Sequence, residues 1–502
     1  MQRALLGAAI ALILVLVTAL VAPLFVDWGY YRGTFETEIS RLTRLAVRIS
    51  GPIDVRFLPT PTLKLRQIAM GSPDAPAMVQ AETLRIELAL GALMRGQFVA
   101  SDVALEAPEI SLRLGGSQGP PPYPQTAEAK SIPSRPLAGE GVFAFDPDAV
   151  SIAHLTIEKG RVIVAGGPGR SLLLDRLGFS GDVRSLLGPA KGEGSVAVDG
   201  ESYLFSIVMG RAAADGAVKV RLLVDTLDHV RIGDVDSSIW TERGVPHFAG
   251  ALQWSQAAGR SLQGFNEPWR LSAKMRGDWT AAALEGINLQ YGSEERAVQL
   301  RGNANLTFRT QPELDVTLEA TRIDLDRLLT LPATTRRRPL VAMRTMADNF
   351  DAARLPPIRV NFGISADIVT LADAPLQQVS VSLHGADGAW DLESLELRAP
   401  GATQLRLRGR VDATPRGPTF AGHGRIEARD SRALVSWLTA GSDGEAFAGP
   451  FRAEGDVRLG GDSIVFDRLK AELDRDTLEG NFGYFAPTAD RVARMEIGRA
   501  HV

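Results

Sequence analysis

Across most of its length this 502-residue chain alternates apolar and polar residues with a period of two. Leu84, Ile86, Leu88 and Leu90 alternate with Arg85, Glu87 and Ala89, and related runs occur at Val55–Phe57, Leu63–Ile68, Val103–Leu105 and Ile110–Leu114. Residues i and i+2 of a strand share a face, so each run reads as a half-buried strand with one oily side. The grammar continues through Ser151–Ile157, Arg161–Val164, Leu172–Leu174, Leu177–Phe179, Gly194–Val198, Ser202–Met209 and Ala217–Val224. It resumes at Trp269–Met275, Ala283–Leu289, Ala297–Leu300, Ala304–Arg309 and Leu314–Ala320, and fills Ile358–Tyr484. The 50 glycines and 29 prolines are dispersed, as many short turns require. The chain is too long for one ordinary core. Roughly 25 strands spaced about 4.8 Å apart would make a sheet on the order of 120 Å, which must twist and curl. The expected fold is therefore mostly β with a few short helices. Two architectures stay open on the residues alone: a long curled antiparallel sheet forming an elongated groove, or tandem β-sandwiches.

Ala4–Val26 holds no charged residue, and its 23 residues at about 1.5 Å each exceed a hydrocarbon core of roughly 30 Å. Arg3 precedes it, while Trp28, Tyr30 and Tyr31 follow it, where amphipathic rings favour the headgroup layer. This predicts a single transmembrane helix over 4–26, residues 1–3 in the cytoplasm and the bulk of the chain across the membrane. A cleaved signal peptide, with Val17-Thr18-Ala19 at the peptidase site, is the rival reading. Thr34 can cap a helix whose apolar positions Phe35, Ile39, Leu42, Leu45 or Ala46 and Ile49 run to Gly51-Pro52. Glu158-Lys159-Gly160 reads as a hairpin turn. Residues 115–136 are a Pro/Gly-rich loop, 137–330 a β-rich middle region, 331–357 a loop with Arg336–Arg338 and then a helix over Pro339–Leu355. The last six residues, Ile497–Val502, match the translation of a common sequencing adapter, so 497–502 is expected to be an artefact and 358–496 the last β-rich region.

The residues give no sign of catalysis. A net charge of -4, from 55 basic and 59 acidic residues finely interspersed, offers no basic face for nucleic acid. Without cysteine there is no disulfide, thiolate nucleophile or Cys-ligated zinc. The six histidines have no i, i+4 pair, and neither HExxH, a phosphate-binding GK[ST] loop nor Gly-x-Ser-x-Gly occurs. No catalytic residue, metal ligand or cofactor is expected.

One combination is more specific. The order is apolar helix, amphipathic helix, Gly51-Pro52-Ile53-Asp54-Val55, then Leu58-Pro59-x-Pro61-x-Leu63-x-Leu65, Ala81–Leu90, a short Leu-Met turn, and Val103–Leu114 containing Ala107-Pro108. It resembles the N-terminal region of the AsmA family of bacterial envelope proteins. Trp390–Gly401 followed by Leu405–Val411 resembles that family's C-terminal repeat, and Ile323–Leu329 a family helix that follows an Asp-Leu-Asp segment. The resemblance implies a bridge-like lipid carrier: a protein anchored in the bacterial inner membrane that takes phospholipid along an apolar β groove for outer-membrane biogenesis. Outer-membrane or other envelope proteins would then be partners. On this expectation the groove candidates over residues 33–114 are Leu63, Leu65, Leu84, Ile86, Leu88, Leu90, Val103, Leu105, Ile110, Leu112 and Leu114. Arg3, Trp28, Tyr30 and Tyr31 would sit at the membrane interface. The alternative is a non-enzymatic scaffold assisting outer-membrane protein assembly through exposed sheet edges.

Overall fold

The computed structural model describes residues 26–43, 46–71, 79–93, 99–113, 152–165, 171–183, 189–198, 200–242, 245–257, 267–278, 280–293, 297–307, 312–329, 339, 341–342, 358–386, 389–414, 417–439, 449–460, 463–473, 476–485 and 494–501. These residues are mostly β, with 26 strands and a few short helices. Arg3, the run to Phe25, Leu114, the 115–136 loop and Arg336–Arg338 lie outside them. Among the described residues no helix is long and apolar enough to cross a membrane. The chain divides into two compact units, Met1–Ala251 with Arg276–Trp279, and Leu252–Met275 with Thr280–Val502.

Unit 1 opens with a 3-10 turn, Trp28–Tyr31, and helix α1, Arg32–Thr43. The helix does not continue to Ile49: Ala46–Ile49 is strand β1, paired with the end of β3 (Thr62–Gly71). Val47 and Ile49 are buried while Ala46 and Arg48 are exposed, a period-two burial that a helix cannot supply. Helix α1 then protects the strand it feeds. Glu36 Oε1 accepts the Ile49 N–H at 2.7 Å and Ser40 Oγ the Val47 N–H at 2.9 Å, so the free edge of β1 is satisfied by side chains. Strand β2 (Ile53–Arg56) pairs with the first half of β3, so β1 and β2 together form one interrupted edge strand.

From β3 the ladder runs through β4 (Val79–Leu88) to β5 (Ala100–Glu106) and β6 (Glu109–Arg113), which share one position beside β4. A helical turn, α2 (Leu90–Leu93), separates β4 from β5. Both β5 and β6 pair in parallel with β7 (Ile152–Ala165). Antiparallel neighbours follow in sequence order: β8 (Ser171–Val183), β9 (Ala190–Val198), β10 (Glu201–Met209), β11 (Val218–Thr226) and β12 (Arg231–Glu242).

A line of irregularities crosses the first half of this ladder. Gln67 in β3, Ala107 between β5 and β6, Lys159 in β7 and Arg176 in β8 all have φ near +50° (52°, 48°, 54° and 52°). Gly51 interrupts the edge strand at the same level, and a Cβ there would lie 2.6 Å from the Arg66 carbonyl oxygen. Each extra residue reverses the alternation, so Leu155 and Ile157 before the bulge and Val162 after it fall on the same face. Lys159 is therefore a bulge inside a continuous strand. The expected hairpin at Glu158–Gly160 does not form, and the two short runs around Arg176 are likewise one strand.

The division between the units falls within β13 (Val245–Gln256) and β14 (Trp269–Asp278). In unit 2, β15 (Ala281–Tyr291), β16 (Val298–Thr307) and β17 (Glu313–Asp324) are antiparallel neighbours, and β17 pairs in parallel with β18 (Arg359–Leu371). Then β19 (Ala374–Ala386), β20 (Ala389–Ala399), β21 (Thr403–Thr414), β22 (Gly417–Ala428), β23 (Phe451–Gly460), β24 (Ser463–Leu473), β25 (Asp476–Phe485) and β26 (Arg494–His501) follow in antiparallel order. The ladders are thus not wholly antiparallel. Each parallel joint coincides with a long connection, 114–151 or 330–357, as a return to the starting end requires.

One end of unit 2 is closed by helices. Asp324 caps the single turn α3 (Leu325–Leu328), and α4 (Ser431–Leu438), capped by Asp430, docks beside Gly401. Leu329, Ala342 and Trp437 pack with Ala320, Val369, Leu371, Leu376 and Ala399. Of the helix expected over Pro339–Leu355, Pro339, Val341 and Ala342 are described and helical. Asp326, only 3% exposed, accepts the Ala372 N–H at 2.7 Å and the Asp373 N–H at 2.8 Å, clamping the left-handed corner between β18 and β19. Losing two charge-assisted bonds, each about 1.5–3 kcal/mol, predicts that Asp326→Ala lowers the stability of unit 2 by about 3 kcal/mol. Chemical denaturation of the variant checks this; an unchanged midpoint would refute it.

Candidate functional site

The candidate groove residues of the N-terminal region converge, but into a packed core. Leu65 (0% exposed), Leu84 (6%) and Val103 (8%) are buried together with Val47, Ile49, Ile53, Ile68 and Ala100. Leu63, Ile86 and Leu105 pack against them, and Trp28, Phe35 and Ile39 close the same cluster from the N-terminal turn and α1. Leu88 and Ile110 are half-buried and Leu90, at the start of α2, is exposed. The backbone of Leu112 pairs with Val164. Sheet, helix and aromatic turn thus bury one another here, leaving no open apolar surface on Leu65, Leu84 or Val103.

A second apolar face lies further along, on β8–β12. Registered side by side on one face stand Phe179 of β8, Val196 of β9, Tyr203, Phe205, Ile207 and Met209 of β10, Val220, Leu222 and Val224 of β11, and Val235 and Ile239 of β12. Apart from buried Val220 and exposed Ile239, these side chains are half-buried. Among the described residues, none of the four buried hydrophobic clusters draws a member from β8–β12. A sheet face this apolar ordinarily needs a second layer over it.

Its floor is smooth because rings lie over glycines. Phe179 and Phe205 stack with centroids 6.3 Å apart and planes 10° from parallel. A Cβ on Gly194 would come within 2.5 Å of the Phe205 ring, and one on Gly192 within 2.4 Å of Phe179. At the strand ends Tyr203 donates to Glu201 at 2.8 Å, and Arg231 reaches the same carboxylate at 2.6 Å. Partial burial, then the hydrogen bond to Glu201, raises the Tyr203 pKa, so the phenol stays neutral at this rim. The reverse face mixes ion pairs with apolar side chains: Arg221 pairs with Asp234 at 2.7 Å, and Leu204, Val208 and Leu223 are exposed beside them.

Unit 2 shows the same division of faces. Leu392, Phe420 and Val457 are buried with Val381, Leu395, Leu407 and Phe466 around them, while the opposite face carries ion pairs within and between strands. Arg425 meets Glu427 and Glu454, Arg452 meets Glu427 and Glu472, and Arg468 pairs with Asp456. Hydrogen bonds from His423 and then Arg468 hold Asp456 below its ordinary 3.8. Arg425 does the same for Glu427, below 4.5. Depressed folded-state values give stability that is complete above the unfolded values and lost as pH falls through the folded ones. Unit 2 is therefore expected to lose melting temperature below about pH 4.5, modestly because the pairs are exposed, and less in high salt. A melting temperature independent of pH there would contradict this.

Among the described residues no group of three His, Asp or Glu side chains is placed to hold a metal ion. Two neighbouring strands, one in the candidate face and one beyond it, lack the alternation signal: β12 carries Asp234, Asp236, Ser237 and Ser238, and β13 is similarly broken by His247 and Gly250. Their signal is the β-branched and aromatic content of the strands themselves, Ile232, Val235, Ile239 and Trp240 in β12 and Val245 and Phe248 in β13, rather than alternation. Helix α4 lies outside the expected helices, although Asp430 directly before Ser431-Arg432-Ala433-Leu434 is a capping signal.

Compared with known proteins, residues 1–119 match the AsmA family. No curated protein and no solved structure matches the chain.

Proposed function

With residues 1–119 carrying AsmA-family sequence, we propose that this protein is anchored in the bacterial inner membrane and holds or conducts phospholipid acyl chains along the apolar face of β8–β12. Outer-membrane biogenesis is the process it would serve. The observation that carries this reading is that the face is apolar, in register across five strands, and joins none of the buried hydrophobic clusters among the described residues. Acyl chains would supply the missing partner at about 0.8 kcal/mol per buried CH₂. The headgroup would stay in water beyond the Tyr203–Glu201–Arg231 rim. The work is binding and guiding rather than catalysis, so no reacting group is required. Smooth glycine-floored strands suit a ligand that slides, since they offer few pockets to stop it.

The test is quantitative mass spectrometry of lipids co-purifying with the full chain after detergent exchange. Phospholipid at one or more molecules per chain, displaced by added fatty acid, supports the reading. Lipid-free protein with an intact melting transition would sink it and favour the scaffold reading, in which sheet edges engage other envelope proteins.

A further inference from the structure

We infer that the Phe57–Leu58–Pro59 turn between β2 and β3 is a second membrane contact, seated in the headgroup layer beside Trp28, Tyr30 and Tyr31. This rests on the membrane anchoring proposed above. The turn is 31 residues from Val26, yet it meets the residues that follow the apolar run. Trp28 packs edge-on against Phe57 with centroids 6.1 Å apart and contacts Tyr31 at 6.0 Å, and Tyr31 contacts Tyr30 at 5.5 Å. Four aromatic rings from two separate segments thus form one patch.

That patch is open. Tyr30 is 86% exposed, Tyr31 46% and Phe57 43%. In water such a cluster is unfavourable, and rings with one apolar and one polar end prefer the bilayer interface. Its occupant is indicated by the chain itself. Ala4–Val26 is uncharged, long enough to span a bilayer, and ends two residues before Trp28. Exposed Arg56 stands next to Phe57 and is suited to lipid phosphate. The patch is also fixed to the fold, because Trp28 packs on the cluster of Leu65 and Ile49. The first strands would therefore sit directly on the membrane surface with no slack between anchor and sheet.

The chain has no cysteine, so one introduced thiol can be labelled uniquely. Phe57→Cys, carrying the environment-sensitive fluorophore NBD, would be reconstituted as full chain into phosphatidylethanolamine–phosphatidylglycerol vesicles. Some vesicles would contain lipids with a doxyl quencher near the headgroup, others with one deep in the acyl region. Tyr30→Cys is the parallel site if Phe57→Cys lowers the melting temperature; Leu14→Cys reports the anchor and Lys219→Cys a water-exposed strand. The expected result is a blue-shifted emission at position 57, with a greater loss of intensity to the shallow quencher than to the deep one. Water-like, unquenched emission at 57 and 30 with Leu14→Cys deeply quenched would overturn the contact while leaving the anchor intact. Blue-shifted emission that no lipid quenches would overturn it in favour of a protein partner. Water-like emission at position 14 as well would overturn both readings.

Discussion

Ile207→Asp combined with Leu222→Asp is expected to strip phospholipid from the protein while leaving it folded. The two residues face each other across β10 and β11, and each is half-buried. A carboxylate at either position still reaches water, so the substitution avoids the penalty of a fully buried charge. For a bound acyl chain the same carboxylates interrupt the path. If about four methylenes lose their apolar contact, at about 0.8 kcal/mol each, binding weakens by about 3 kcal/mol, roughly two orders of magnitude in Kd. Lipid counts by mass spectrometry, with a melt of the same sample, check both halves. Retained lipid in a folded double variant would refute the placement of the acyl path.

The opposite outcome is expected from the same chemical change at Leu65. That side chain has 0% exposure and touches the core shared by β1–β5 and α1. An unpaired carboxylate there costs about 3–5 kcal/mol, to which the lost burial of leucine adds about 2 kcal/mol. The sum approaches the whole stability of an ordinary domain, about 5–15 kcal/mol. Leu65→Asp should therefore abolish the cooperative melting of unit 1 and expose α1 to protease. A folded Leu65→Asp protein that lost only lipid would mean that this cluster opens and that the acyl path begins there. The pair of variants thus separates a core from a ligand surface by stability rather than by affinity.

Alternation made the strand content legible because a period of two survives any tertiary arrangement, and Leu63, Leu65, Leu84 and Ile86 do share one face. What alternation cannot state is which apolar faces find a partner within the chain. Leu65 and Phe205 read alike in sequence, yet one is buried in a cluster that α1 helps to close and the other is half-buried and belongs to no buried cluster. The bulges escape alternation for a related reason. A left-handed residue such as Lys159 or Arg176 reverses the alternation without ending the strand, and neither residue type advertises that conformation. Strand β1 reads as helix in sequence because four residues are too few to distinguish the two periods. The family resemblance, by contrast, rested on the order of Gly51-Pro52, Leu58-Pro59 and Ala107-Pro108, and these are places where the backbone departs from regular pairing: an interrupted edge, a turn and a strand break.

The contacts of Glu36 and Ser40 with β1 have an evolutionary consequence. An edge whose Val47 and Ile49 donors are already engaged is a poor template for another strand, whether from the same gene or from a neighbouring molecule. Growth of such a ladder is closed at this edge and left to hairpins inserted between existing strands or added at the far one. Each insertion would widen it by two strand spacings, about 9.6 Å, and would leave the capped edge untouched. Descendants of one gene could then differ in reach while beginning with the same hundred residues.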